Sequence, residues 1–209
     1  MTVRVKICGI KTIDTAMSVI DSGGDYIGIN FSPVSKRSVD LKKGIEVFDS
    51  IKKRSDHSLL VVGLFYQNSE TQIREILGKI PFDFVQFVVH DHTLNLKLLQ
   101  SFNRKLIAQV SVKKPVDDLT LAEYDSEFLI LDSYKEGLGG GSGQVFEWEN
   151  AKAVKRKYLL AGGLNPSNVG KAINVLQPFG VDVASGVESS SGEKDIKLIE
   201  EFIQNAKRI

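Results

Sequence analysis

Short apolar, β-branched runs alternate with longer amphipathic stretches from one end of the chain to the other. The runs cover residues 3–7, 25–31, 59–65, 83–89, 105–111, 127–131, 157–160 and 180–184. Between them, apolar residues recur at helical steps: Leu41, Ile45, Phe48 and Ile51 in one segment, Val169, Ile173 and Leu176 in another. Asp14, Ser69, Asn165 and Ser191 stand near expected helix starts, where each can accept from free N–H groups. Pro166 after Asn165 suits a first helical position, because its missing N–H would be unpaired there anyway. The strand cores are apolar without alternation, which predicts strands buried on both faces, as in a parallel sheet covered by helices. Eight strand-plus-helix units in 209 residues leave about 26 residues for each. That count favours an α/β fold of the (β/α)₈ barrel type, with residues 1–209 as a single domain. A doubly wound open sheet, which more often uses five or six strands, is the alternative.

Composition narrows the function classes. Lys and Arg number 27 against 26 Asp and Glu, a formal net charge of +1, so a strongly basic nucleic-acid surface is not expected. One cysteine excludes an intramolecular disulfide and a Cys-rich zinc site, and suits a reducing compartment. The opening MTVRVKICGIKT has neither the apolar core nor the cleavage site of a secretory signal. With no run of 18 apolar residues in the chain, no membrane partner is expected and the expected location is cytoplasmic. His57, His90 and His92 do not combine with carboxylates at metal-ligand spacing, so no metal is expected.

In a barrel, chemistry collects at the C-terminal ends of the strands. The first run ends in Cys8. A lone cysteine reads as a small buried hydrophobe, or at this position as a thiol base if a nearby cation lowers its pKa. The sixth run leads into Asp132, which reads as a turn former or as a general acid at the mouth of the barrel. It opens a long irregular segment, 132–146, rich in glycine, and a loop of that length in so short a chain is more often functional than not. Gly162 and Gly163 follow the seventh run, and Ser185 and Gly186 follow the eighth. Bare backbone N–H groups in the loops after strands 7 and 8 are the usual phosphate cradle of barrel enzymes. Arg37, in the loop after the second run, is either solvated surface or a clamp for a carboxylate.

Six motifs, VKICGIK (5–11), SKRSVD (35–40), LILDS (129–133), GGGSGQVFEW (139–148), LAGGLNPSNVGKAI (160–173) and GVDVASGVESSSGEKD (180–195), occur in this order. Together the chain resembles the phosphoribosylanthranilate isomerases over nearly its whole length. The resemblance implies a (β/α)₈ barrel and an Amadori rearrangement of N-(5-phosphoribosyl)anthranilate to the 1-deoxyribulose 5-phosphate aminoketose, without cofactor. By motif, Cys8 becomes the general base, Asp132 the general acid and Arg37 the partner of the anthranilate carboxylate. Gly162, Gly163, Ser185 and Gly186 hold the phosphate, and Asp182 lies near the substrate's hydroxyls. The implied partner is a small phosphorylated substrate.

Two stretches depart from the family pattern. The fourth run reads Val85-Gln86-Phe87-Val88-Val89-His90, so the usual His falls on Val88 without a gap, or on His90 with a two-residue insertion. The fifth run carries Ala108-Gln109 in place of the common basic residue. Another sugar-phosphate isomerase or epimerase on the same scaffold, which would use paired carboxylates, and a ligand-binding barrel without turnover are the rival readings. Monomer and homodimer are both open.

Overall fold

A computed structural model describes residues 2–54, 58–89, 96–132 and 148–208. Eight strands form a closed parallel barrel in sequential order: β1 (Arg4–Cys8), β2 (Tyr26–Asn30), β3 (Leu60–Phe65), β4 (Phe84–Val88), β5 (Lys105–Ser111), β6 (Phe128–Asp132), β7 (Tyr158–Leu160) and β8 (Gly180–Val183). β8 pairs with β1, Val5 opposite Val181, which closes the sheet and excludes the open doubly wound alternative. Each strand falls on one of the apolar runs. Six helices pack outside it: α1 (Ile13–Asp21), α2 (Leu41–Arg54), α3 (Glu70–Lys79), α4 (Leu96–Ser101), α5 (Val169–Leu176) and α6 (Ile196–Lys207).

A helix in every unit was one too simple an expectation. Between β5 and β6 there are turns instead. Pro115 lacks an N–H for a helix, and Asp117 closes a turn by accepting from the Thr120 N–H at 2.8 Å and its hydroxyl at 2.7 Å. Between β6 and β7 the described residues hold one 3₁₀ turn, Trp148–Ala151. The irregular segment expected over 132–146 lies, after Asp132, outside the described residues.

The caps also differ in part. Ser69 caps α3 in a full capping box with Gln72. Thr12 caps α1, with Asp14 inside its first turn, and Asp195 caps α6, since Ser191 belongs to a hairpin between β9 (Glu188–Ser190) and β10 (Glu193–Lys194). The Asn165 carboxamide oxygen accepts from the Ser167 and Asn168 N–H groups, so it caps a tight turn, and α5 begins after it at Val169.

Side chains of a strand alternate between the helices and the barrel axis. The outward set joins the helices in one large apolar core. The inward set is layered. At the N-terminal end Tyr26, Phe84 and Phe128 fill the barrel, with ring centroids 5.4 to 6.0 Å apart. Further along, the inward positions of β1, β2 and β4 turn polar or small, with Lys6, Cys8, Gly28 and Gln86, whereas β6 keeps Ile130 before reaching Asp132. The apolar plug gives a rigid floor, and the chemistry sits above it.

Candidate active site

The polar layer opens into a cavity of about 110 Å³ at the C-terminal ends of the strands, lined by Cys8, Arg37, Asp132, Gly162, Gly163, Asp182 and Ser185 among others. Seven of the eight residues that the sequence singled out therefore border one space. Gly186 lies just behind it, where a Cβ would come within 1.8 Å of the Leu164 carbonyl oxygen.

Cys8 is 5% exposed and faces Gly28 across the β1–β2 ladder. A Cβ on Gly28 would sit 2.9 Å from Cys8 Sγ and 3.3 Å from Lys6 Nζ, so the missing side chain leaves room for thiol and ammonium to converge. Lys6 shares the inward face with Cys8 because the two are two residues apart. Its side chain is fully buried and donates to Asp182 Oδ1 at 2.8 Å, and its charge acts on the neighbouring Cys8 sulfur. Burial opposes the charge on Lys6, but Asp182 and the sulfur outweigh it and its pKa is raised. Burial pushes the Cys8 thiol up, against the pull of Lys6 and the more distant Lys194; the neighbouring Asp182 adds to the rise. The sequence called for a cation beside the thiol, and the structure supplies one, although burial wins and the resting thiol stays protonated.

Asp132 is the last residue of β6, buried, with Oδ2 accepting from Gln109 Nε2 at 2.8 Å. Gln109 Oε1 in turn accepts from Gln86 Nε2 at 2.7 Å. Gln86 Oε1 and Ser32 Oγ are buried with no hydrogen-bond partner among the described residues, and both residues line the cavity. A buried polar atom left unpaired is costly, so it marks a place for a ligand group or water.

Arg37 donates through Nε to Glu188 Oε1 at 2.6 Å and through Nη2 to Oε2 at 2.9 Å, a bidentate pair that orients the guanidinium at the rim of the cavity. Lys194 Nζ reaches the same carboxylate at 2.9 Å and the Ala184 carbonyl at 2.7 Å, and Gly192 N–H adds a fourth donor. Burial pushes the Glu188 carboxyl up, yet these donors hold it at about 2; burial lowers Lys194 more than Glu188 raises it. Two cations around one carboxylate leave a net positive charge beside the cavity, which suits an anionic ligand group. Since Glu188 is lowered from 4.5 to about 2, the stability it lends is complete above pH 4.5. That stability is expected to be lost as pH falls through about 2, and urea unfolding midpoints of Glu188→Gln against the parent chain should converge over that window.

Gly162 and Gly163 both have positive φ, 88° and 66°, a conformation open to glycine at little cost. After β8 the chain turns into a 3₁₀ helix, Ser185–Val187. Two glycines in this conformation after β7 and a short extra helix after β8 stand where barrel enzymes commonly place a backbone anion cradle.

Lys6, Glu188 and Lys194 were not foreseen as site residues, nor were the roles of Gln86 and Gln109. Lys6 carried a signal, a charge within an apolar strand two residues before Cys8. Val88 borders the cavity and gives its β4 side an apolar surface. His57, His90 and His92 lie outside the described residues, and among those described no group of three His, Cys, Asp or Glu is arranged to hold a metal.

A closed parallel barrel whose C-terminal mouth brings together a thiol, a carboxylate and two positive-φ glycines has the architecture of the (β/α)₈-barrel enzymes. Comparison with known proteins places it more narrowly: residues 5–205 match the family described as N-(5'-phosphoribosyl)anthranilate (PRA) isomerase, and the chain belongs to that family. A relative from Leptospira interrogans bearing that name is 45% identical over 204 residues, covering 98% of this chain and 94% of the relative. One from Hahella chejuensis is 39% identical, covering 96% and 92%. Among solved structures, the Thermotoga maritima phosphoribosyl anthranilate isomerase aligns with a TM-score of 0.81 at 31% identity, over 99% of this chain and all of that one. A phosphoribosyl anthranilate isomerase in complex with reduced 1-(o-carboxyphenylamino)-1-deoxyribulose 5-phosphate aligns at 0.77 and 29% identity, with the same coverage. No helix among the described residues is long and apolar enough to cross a membrane.

Proposed function

We propose that this chain isomerises N-(5-phosphoribosyl)anthranilate by an Amadori rearrangement, with Asp132 as general acid and Cys8 as general base. The observation that carries the reading is the meeting of Cys8, Asp132 and the Gly162–Gly163 cradle around one cavity. The phosphate rests on the backbone of Gly162, Gly163, Ser185 and Gly186. Arg37, aimed by Glu188, faces the anthranilate carboxylate, and Asp182 lies near the sugar hydroxyls.

In the first step Asp132 delivers its proton to the furanose oxygen. The C1–O bond breaks, and the nitrogen lone pair forms the C1=N bond of a protonated Schiff base. That cation acidifies the C2 hydrogen, which Cys8, having first given its thiol proton to water, removes as the thiolate to leave an enolamine. The enol proton and electrons then shift to give the C2 ketone and a C1 methylene. At the end the carboxyl has lost one proton and the thiolate has gained one, so exchange with water resets both without any net loss. Burial that raises the thiol also makes its thiolate a stronger base, while Lys6 keeps that thiolate within reach. Anthranilate nitrogen and sugar carbonyl supply the electronics, so these steps call on no external electron acceptor. Anchoring phosphate and carboxylate at opposite ends fixes the reacting atoms between Cys8 and Asp132.

The test is the loss of anthranilate-type fluorescence when phosphoribosylanthranilate, generated in situ, meets the purified protein. Rapid loss with formation of the aminoketose is expected. Tight binding of the aminoketose with no fluorescence loss would mean a ligand-binding barrel and overturn the proposal.

A further inference from the structure

We infer that Gln109, clamped by Gln86, is a positioning residue that receives the carboxylate of Asp132 each time its proton is given up. The inference rests on the acid role proposed for Asp132. It starts from the register of the sheet. Gln86 pairs with Ile107, two residues before Gln109, and Gln109 pairs with Ile130, two residues before Asp132. With a side-chain period of two, all three project inward, each one step higher on the next strand. The tilt of the barrel strands turns that diagonal into a continuous ascent from the apolar floor to the mouth. Hydrogen bonds of 2.7 and 2.8 Å follow it.

The direction of the chain is set from below. Gln86 Nε2 occupies Gln109 Oε1, so the Gln109 amide N–H points at Asp132 Oδ2. Turned the other way, an amide oxygen would face a carboxylate with no proton between them once the acid has reacted. Because Oδ2 accepts from Gln109, the acid proton is carried on Oδ1. The lower end of the relay, Gln86 Oε1, is buried beside the cavity with no partner among the described residues, which gives a sugar hydroxyl a place to donate and tighten the whole chain when substrate is bound.

The residue type at 109 also matters. A cation there would favour the ionised carboxylate with a full charge and hinder its reprotonation; an amide favours it by a hydrogen bond alone. The other ionisable groups around the cavity among the described residues are Cys8 on β1, Asp182 on β8 paired with Lys6, Arg37 after β2 paired with Glu188, and Tyr66 after β3. Among the described residues, β4, β5 and the turn after β7 line the cavity with Gln86, Val88, Gln109 and Ala161, all neutral, so the influence these elements bring to Asp132 is that of the relay.

The experiment is the pH profile of kcat/KM for Gln109→Leu, Gln109→Lys and Gln86→Leu, with affinity for the reduced aminoketose as the check that the site is folded. The limb that reports Asp132 is expected to move up by about one pH unit in Gln109→Leu and down by about one in Gln109→Lys. Gln86→Leu should move it in the same direction as Gln109→Leu, because a released amide can turn. A limb that stays put in both Gln109 variants, or moves the same way in both, overturns the inference. Asp132→Asn, run alongside, separates the two levels. If it turns over at the parent rate the acid assignment itself is wrong; if it is inactive while the limb is unmoved, only the relay is.

Discussion

Asp132→Asn is expected to lower kcat by about 10²- to 10⁴-fold, the usual worth of a positioned acid. The substitution keeps the shape of the side chain, and the new amide oxygen can still accept from Gln109 Nε2, so the Gln109 donor keeps its acceptor. What is lost is the transferable proton. On the proposed mechanism ring opening then has to draw its proton from water, while the proposed phosphate cradle and Arg37 still hold the substrate. Affinity for the reduced aminoketose should therefore stay within about threefold of the parent value, and the loss should fall on kcat and kcat/KM together. Stopped-flow fluorescence for turnover and calorimetry for the analogue separate the two. A large fall in affinity with kcat unchanged would show Asp132 to be a binding group.

The second large effect is on stability. Lys6→Met is expected to destabilise the fold by about 3–5 kcal/mol, because it leaves the buried Asp182 carboxylate without its partner. Adding Asp182→Leu should recover most of that loss, since an apolar pair of similar volume needs no charge compensation. Urea unfolding of the single and double variants measures both numbers. The single variant should also alkylate more slowly at Cys8 at a given pH. Lys6 is one of the two cations that offset burial, and without it the thiol rises further. Equal stability of parent and Lys6→Met would show that the pair contributes nothing net.

The barrel was legible in the sequence because buried parallel strands write an uninterrupted apolar signature, and eight of them at even spacing leave few ways to close a sheet. Ser69 was legible as a cap for the same local reason: its capping box needs only four consecutive residues. The caps at Thr12 and Asp195 and the start of α5 lie a few residues from Asp14, Ser191 and Asn165, since any short polar side chain near a helix start satisfies the local rule and packing decides among them. The turns between β5 and β6 are not legible in the sequence, because the span between the two strands has the length of an ordinary helical unit. At the mouth, Cys8 and Asp132 are legible from their position at a strand's end, and the glycines from theirs just past one. Glu188 and Lys194 did not, because their role depends on a hairpin folding back over the Arg37 loop, a contact between residues 151 apart in the chain. Gln109 read as the lack of a base until the register placed it between Gln86 and Asp132.

The central claim is that a buried thiol on β1 takes the C2 proton. The most direct measurement is single-turnover fluorescence decay of phosphoribosylanthranilate with enzyme in excess, for the parent chain and Cys8→Ala. The account predicts a decay in Cys8→Ala slower by about 10²- to 10⁴-fold, with affinity for the reduced aminoketose retained. Decay at the parent rate in Cys8→Ala would contradict it and assign the proton abstraction to another group.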